Sequence, residues 1–205
     1  MPNSTPTVSP IVSSTIGLKN FVLAELLTDT ETAHTYGPLQ LVAGAIDAQI
    51  APDNAEPEVQ YYDDIEGDVL TPDPSVKLTL EMADLPLAIQ EKILANQMDD
   101  NGVLVRTAGD KPPYFAFGFM SEKGNKTYRY VWLYKGRAAP MTEAYHTKEG
   151  KTLTRQTGKV ELTFIKRTHD GRYQVVADEG QNGFTAEKAA TFLGSVYEPV
   201  FTPGP

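Results

Sequence analysis

"SVKLTLEM", residues Ser75–Met82, alternates strictly: Val76, Leu78, Leu80 and Met82 against Lys77, Thr79 and Glu81. A period of two reads as a β-strand with one face in a core and the other in solvent. Upstream, "LVAGAIDAQIA" carries the same pattern from Gly44 onward. Ile46, Ala48 and Ile50 point one way, Asp47 and Gln49 the other. Between these strands the chain runs from about Pro52 to Pro74, far longer than a hairpin loop requires. Connections of that length in a compact domain are functional or disordered. At its centre lies "EVQYYDDIEGD", Glu58 to Asp68, with five acids, no base, and Tyr61 beside Tyr62. A solvated loop has no use for two large aromatics. A core strand has no room for five carboxylates. What this segment touches is the question that the fold raises.

The flanking chain also reads mainly as strands. "NFVLAELL" is an apolar strand closed by the polar turn "TDTET". After Met82, Asp84 offers an N-cap and Pro86 a first-turn proline. Leu85, Ile89 and Ile93 then mark an amphipathic helix of about three turns, ending at "DDNG". A short strand "GVLVRT" follows. "YFAFGFMSE" and "KTYRYVWLYKG" flank "KGN" as a hairpin. In the second of these, Tyr128, Tyr130, Trp132 and Tyr134 share one face, and Arg129, Val131, Leu133 and Lys135 the other. Neither face is purely polar, so both are expected to be covered. "GKVELTFIKRT" and "RYQVVADE" flank "HDG" as a second tight hairpin, and "TAEKAATFLGS" is a short helix capped by Thr185. The expectation is about eight strands and one or two helices. The boundaries are an arm over 1–16, a domain over 17–199 whose long loop spans 52–74, and a tail over 200–205. Pro2, Pro6 and Pro10 keep the arm out of helix.

The chain has 205 residues, enough for one domain with extended arms, and a net charge of −9. It has no cysteine, no apolar run of membrane-spanning length and no secretory signal pattern. Charge is unevenly spread. Asn20 to Val76 holds twelve acids and no Lys or Arg, whereas Lys123 to Arg172 holds twelve bases and four acids. Such asymmetry suggests a partner surface, and a front without cations is poorly suited to gripping DNA phosphates.

No catalytic pattern emerges. His34, His146 and His169 are isolated in sequence, and His169 is read as a solvated turn residue. The nucleophile-elbow, Walker and dinucleotide motifs are missing. A calcium-loop reading of the acidic segment fails. With Gly67 at the sixth position, the first is Tyr62 and the twelfth Asp73. Asp63 and Asp64 point apart on extended backbone, which disfavours a carboxylate pair. No enzyme activity and no cofactor are expected.

The order of features, "GLKNFVLAELL", "YGPLQLVAGAIDAQIAPD", the acidic loop, "SVKLTLEMADLP", "DNGVLV", "PPYFAFGF" and "YRYVWLYKG", resembles the major tail protein, or tail tube protein, of long-tailed phages with noncontractile tails. The resemblance covers roughly Gly17 to Pro199. It implies an antiparallel β-sandwich flanked by one helix, in hexameric rings stacked head to tail into a tube through which DNA is ejected. It implies partners of its own kind, tape-measure and terminator proteins, a place in the virion after synthesis in the host cytoplasm, and no membrane. It implies that the long loop reaches the next ring, so Glu58, Tyr61, Tyr62, Asp63, Asp64, Glu66 and Asp68 would form the stacking element. Asp47, Gln49, Lys77, Thr79 and Glu81, on the strands that flank this loop, would face the bore. Six copies at −9 make −54 per ring, a wall on which DNA slides. The competing reading is a monomeric ligand- or carbohydrate-binding β-sandwich with Trp132 and Tyr134 as stacking platforms.

Overall fold

The structure is a computed structural model. It describes residues 13–53, 58–62, 65–70, 73–143, 145, 147 and 157–201, with backbone alone for 58–62 and 65–70. In chain order the first strands are β1 Thr15–Asp29, β2 His34–Tyr36, β3 Gln40–Val42, β4 Ala45–Pro52, β5 Glu58–Tyr62, β6 Ile65–Leu70 and β7 Val76–Met82. Helix α1 Leu87–Leu94 precedes β8 Gln97–Met98, β9 Leu104–Val105, β10 Phe115–Lys123, β11 Tyr128–Ala138, β12 Gly158–Phe164, β13 Gln174–Asp178 and helix α2 Ala186–Thr191. The described residues thus hold more strands than the sequence pattern resolved, because two- and three-residue strands carry no periodicity. β1 begins inside the span read as an arm.

Nine strands form one antiparallel sheet in the order β2-β1-β10-β11-β12-β7-β4, with β3 added on β1 and β13 on β11. β11 is the joint. Its first half, Arg129–Leu133, pairs with β13, and its end, Gly136–Ala138, pairs with β12. The sheet therefore divides into a β1–β10–β11 layer and a β12–β7–β4 layer. Phe21, Leu23, Phe117, Phe119, Val131 and Leu133 meet Val76, Leu78, Leu80, Met82, Val160 and Leu162 between them. Each such side chain contributes about 1.5–3 kcal/mol on burial. The fold is mainly β, an antiparallel sandwich with α1 packed at its side through Ile93 and Leu94.

The other face of β10–β11 is covered as well. Val22, Ala116, Tyr130, Trp132 and Tyr134 lie beneath Phe192, with Phe184, Leu193, Val196 and Tyr197 beside them. Trp132 Nε1 donates to Phe192 O at 2.8 Å, and Tyr134 OH to Tyr197 O at 2.6 Å, so each buried polar tip is satisfied. Two glycines make the close contacts. A Cβ on Gly118 would lie 2.8 Å from the Trp132 ring, and one on Gly136 would lie 2.3 Å from Phe164.

Four local expectations are corrected. Asp84 does not cap α1. Pro86 occupies the cap position without a side-chain bond, and the helix runs eight residues to a left-handed Ala95. Asp84 sits two residues too early to reach the first free amides. The "HDG" segment does not join a hairpin, since β12 and β13 pair with different parts of β11 rather than with each other. Ile46 is 53% exposed, because a bulge between Ala45 and Asp47 shifts the phase, leaving Ala48 and Ile50 on the core side. The 52–74 connection is not plain loop: it contains β5 and β6, which pair with each other. The "KGN" hairpin and the Thr185 cap form as expected. Lys126 takes positive φ in the turn, and Thr185 Oγ1 accepts from Lys188 N.

Candidate assembly surfaces

β7 shows the alternation of its sequence without a break: Val76, Leu78, Leu80 and Met82 are buried, and Lys77, Thr79 and Glu81 are part-exposed. Register then assembles the outward row. Asp47 pairs with Glu81, Gln49 with Thr79 and Ala51 with Lys77 across β4–β7. On the other side Lys159 pairs with Glu81, Glu161 with Thr79 and Thr163 with Lys77. Asp47, Gln49, Lys77, Thr79 and Glu81 therefore share one solvent face, continued by β12. Lys77 Nζ reaches diagonally to Glu161 Oε2 at 2.8 Å. That bond raises the Lys77 pKa above its ordinary value, so the amine stays charged. Glu81 accepts from Thr157 Oγ1 at 2.7 Å. The sequence reading missed Lys159 and Glu161 here. The alternation of "GKVELTF" marks them as outward, but only the pairing of β12 with β7 says beside what. Three acids against two lysines leave this face net negative by one charge.

The second surface is the β5–β6 insertion. Pro52 and Val76 are direct partners at the ends of β4 and β7. Beyond them Asp53 N donates to Ser75 O at 2.9 Å, and Ser75 Oγ to Asp53 O at 2.7 Å. The chain leaves the sheet and returns to the same point, so a tight turn would serve the fold equally well. β5 and β6 form a two-stranded sheet apart from the main one, with Tyr61 opposite Glu66 and Tyr62 opposite Ile65. Glu58 and Asp68 lie on the same hairpin. Asp63 and Asp64, and every side chain of the proposed stacking element, fall outside the described residues.

Among the described residues two ion pairs join the acidic front to the basic back: Asp29 with Lys135 at 2.6 Å and Asp73 with Lys166 at 2.8 Å. Burial pushes the Asp29 carboxyl up, but Lys135 and the amides of Thr168 and His169 together outweigh it and hold it at about 2. The Arg129 guanidinium, against the cost of burial and aided by Lys123, holds Asp178 at about 2. Arg167 is fully buried. It stacks on Tyr134 and bonds both Asp170 and Glu198. Burial disfavours its cation, and those two carboxylates more than restore it. Glu198 thereby ties the C-terminal segment to the body. His34 and His169, far apart in sequence, stand with ring centroids 4.6 Å apart, and His34 Nε2 is 3.0 Å from Glu198. His169 is part-buried, with Nδ1 3.2 Å from Glu31 O, so it is not simply a solvated turn residue.

Among the described residues no group of three His, Asp or Glu side chains is placed to hold a metal, and no helix is long and apolar enough to cross a membrane. A cleft of about 340 Å³ opens beside α1. Its one arginine, Arg106, is taken by Glu143 at 2.6 Å and by Gln90 at 2.9 Å. Trp132 and Tyr134 are 0% exposed, which removes both platforms on which the carbohydrate-binding reading rested.

No protein-family model matches the chain, and no curated protein matches it. Among solved structures it is similar to a chain of the anti-feeding prophage (AFP) baseplate, determined by cryo-EM with 6-fold symmetrisation. Identity is 12%, with 85% of this chain and 96% of that chain covered, at a TM-score of 0.37. An overlap of that size does not establish a common fold.

Proposed function

We propose that this chain is a structural virion protein: the tube subunit of a phage tail, forming hexameric rings that stack head to tail around a DNA conduit. One observation carries the reading. β4 and β7 pair up to Pro52 and Val76, so the hairpin between them is superfluous to the domain and is available to a neighbour. In this reading Glu58, Tyr61, Tyr62, Asp63, Asp64, Glu66 and Asp68 engage the next ring, with the tyrosines as apolar anchors. Asp47, Gln49, Lys77, Thr79 and Glu81, on the strands that bracket the insertion, face the bore. The order of sequence features supports the same assignment. Further partners would be tape-measure and terminator proteins, with DNA passing unbound. Concentrated protein examined by negative-stain microscopy is expected to show rings or tubes with a central hole. A monomer at every concentration and ionic strength would overturn the proposal.

A further inference from the structure

We propose that Asn182 is a site of spontaneous self-modification in the folded protein, and that the chain's other Asn-Gly pair, Asn101–Gly102, is protected by its fold. The chemistry needs only water. Gly183 N, losing its proton, attacks Cγ of the Asn182 side chain. The new C–N bond closes a five-membered imide, and the side-chain nitrogen leaves as ammonia. Water then adds to one imide carbonyl and breaks a C–N bond, giving aspartate or isoaspartate. The step requires an unencumbered amide nitrogen, a following residue without a side chain, and freedom for the asparagine to turn onto it.

The two sites share the sequence and differ in hydrogen bonding. Asn182 is exposed in the turn Gln181–Phe184, which is closed by Phe184 N donating to Gln181 O at 3.0 Å. Gly183 N has no hydrogen-bond partner among the described residues. Lys188 Nζ lies 2.9 Å from Gly183 O, placing a positive charge near the amide anion that must form. At the other site Gly102 N already donates to Asp99 O at 3.0 Å. Asn101 N and Nδ2 are held by the Asp99 carboxylate at 2.9 Å and 3.3 Å. Attack there breaks the Gly102 N and Asn101 Nδ2 bonds, while the Asn101 N bond restrains the asparagine backbone. Space does not discriminate, because a Cβ on either glycine would meet nothing within 4 Å.

The modification reaches the aromatic cover of the sheet. Phe184 follows directly, with its ring 5.6 Å from both Tyr130 and Phe192. Isoaspartate lengthens the backbone by one carbon inside this turn, and both products add a negative charge. Folded protein held in mildly alkaline buffer, then digested and assayed by peptide mass and by isoaspartate-specific methyl transfer, is expected to show several-fold more conversion at Asn182 than at Asn101. In urea the two sites should react alike, which isolates the contribution of the fold. Equal conversion in the folded state, or faster conversion at Asn101, overturns the proposal. On ageing, the parent protein should show a slow change in Trp132 fluorescence that Asn182→Ser abolishes, and a parent without that change would overturn the link to the aromatic cover. If that change persists in N182S at the wild-type rate, the link to the aromatic cover is wrong.

Discussion

Replacing Gly136 by alanine tests the joint on which the two layers depend. Gly136 pairs with Phe164 where β11 passes from β13 to β12. The added Cβ would lie 2.3 Å from Phe164 Cε1 and 2.5 Å from Cδ1 and Cζ. Favourable carbon contacts begin at about 3.5 Å, so ring and strand must part by roughly 1 Å. Phe164 is 0% exposed and cannot swing into solvent. Overpacking of a well-filled core costs about 1–3 kcal/mol, and three ring atoms in collision put this case near 3. For a chain of this size that is a fall in Tm of about 6–12 °C. Trp132 is the sole tryptophan and is fully buried, so its fluorescence reports unfolding in heat or urea. Gly109→Ala is the control, with nothing within 4 Å of its Cβ, and should stay within about 0.5 kcal/mol of the parent. In the double variant Gly136→Ala with Phe164→Leu the smaller side chain makes room, so the two losses should sum to less than additive. A Gly136→Ala protein as stable as the control, or losses that add, would refute the close-approach reasoning.

Deleting Glu58 to Asp68 with a short Gly-Ser bridge should leave the melting temperature nearly unchanged, because Pro52 and Val76 remain paired. It should abolish tubes under the electron microscope, and a collapsed melt or normal tubes would each count against the assigned role. Glu161→Gln removes the carboxylate that holds Lys77 at 2.8 Å and takes the β4–β7–β12 face from one net negative charge to neutral. Assembled tubes should then retain DNA more strongly at low salt, with the difference fading as salt is raised. Asp29 and Asp178 have folded pKa values of about 2, below the unfolded 3.8. Their stabilisation is therefore present above about pH 4 and lost as pH falls toward 2, worth about 2 kcal/mol for each. Asp29→Asn should flatten that part of the stability curve, and an unchanged slope between pH 4 and 2 would show that the folded protein does not hold the Asp29 carboxyl low. Arg167→Met should lose stability, because the fully buried guanidinium's bonds to Asp170 and Glu198 go with it and part-buried Asp170 keeps only Arg172.

Alternation is a local property of the backbone, and it was legible at Val76 to Met82, where one face is wet, and at Tyr128 to Lys135, where both faces are covered. The Thr185 cap was legible for the same reason, since donor and acceptor lie within four residues. The double pairing of β11 was not. "GKVELTF" and "RYQVVAD" each read as a strand, and the turn between them reads as a hairpin tip. The buried Arg167, satisfied by Asp170 and by the distant Glu198, and the amides of Thr168 and His169 on Asp29 hold that segment where its strands part. The phase of Ile46 was hidden likewise, because a bulge is set by the partner strand and not by the residues that bulge. The acidic front and basic back were plain in the chain, but their pairing, Asp29 to Lys135 and Asp73 to Lys166, closes across more than ninety positions. Composition determined how many charges there are. The fold alone decided which remain for a partner, because Coulomb attraction acts over a few ångströms of space rather than along the sequence.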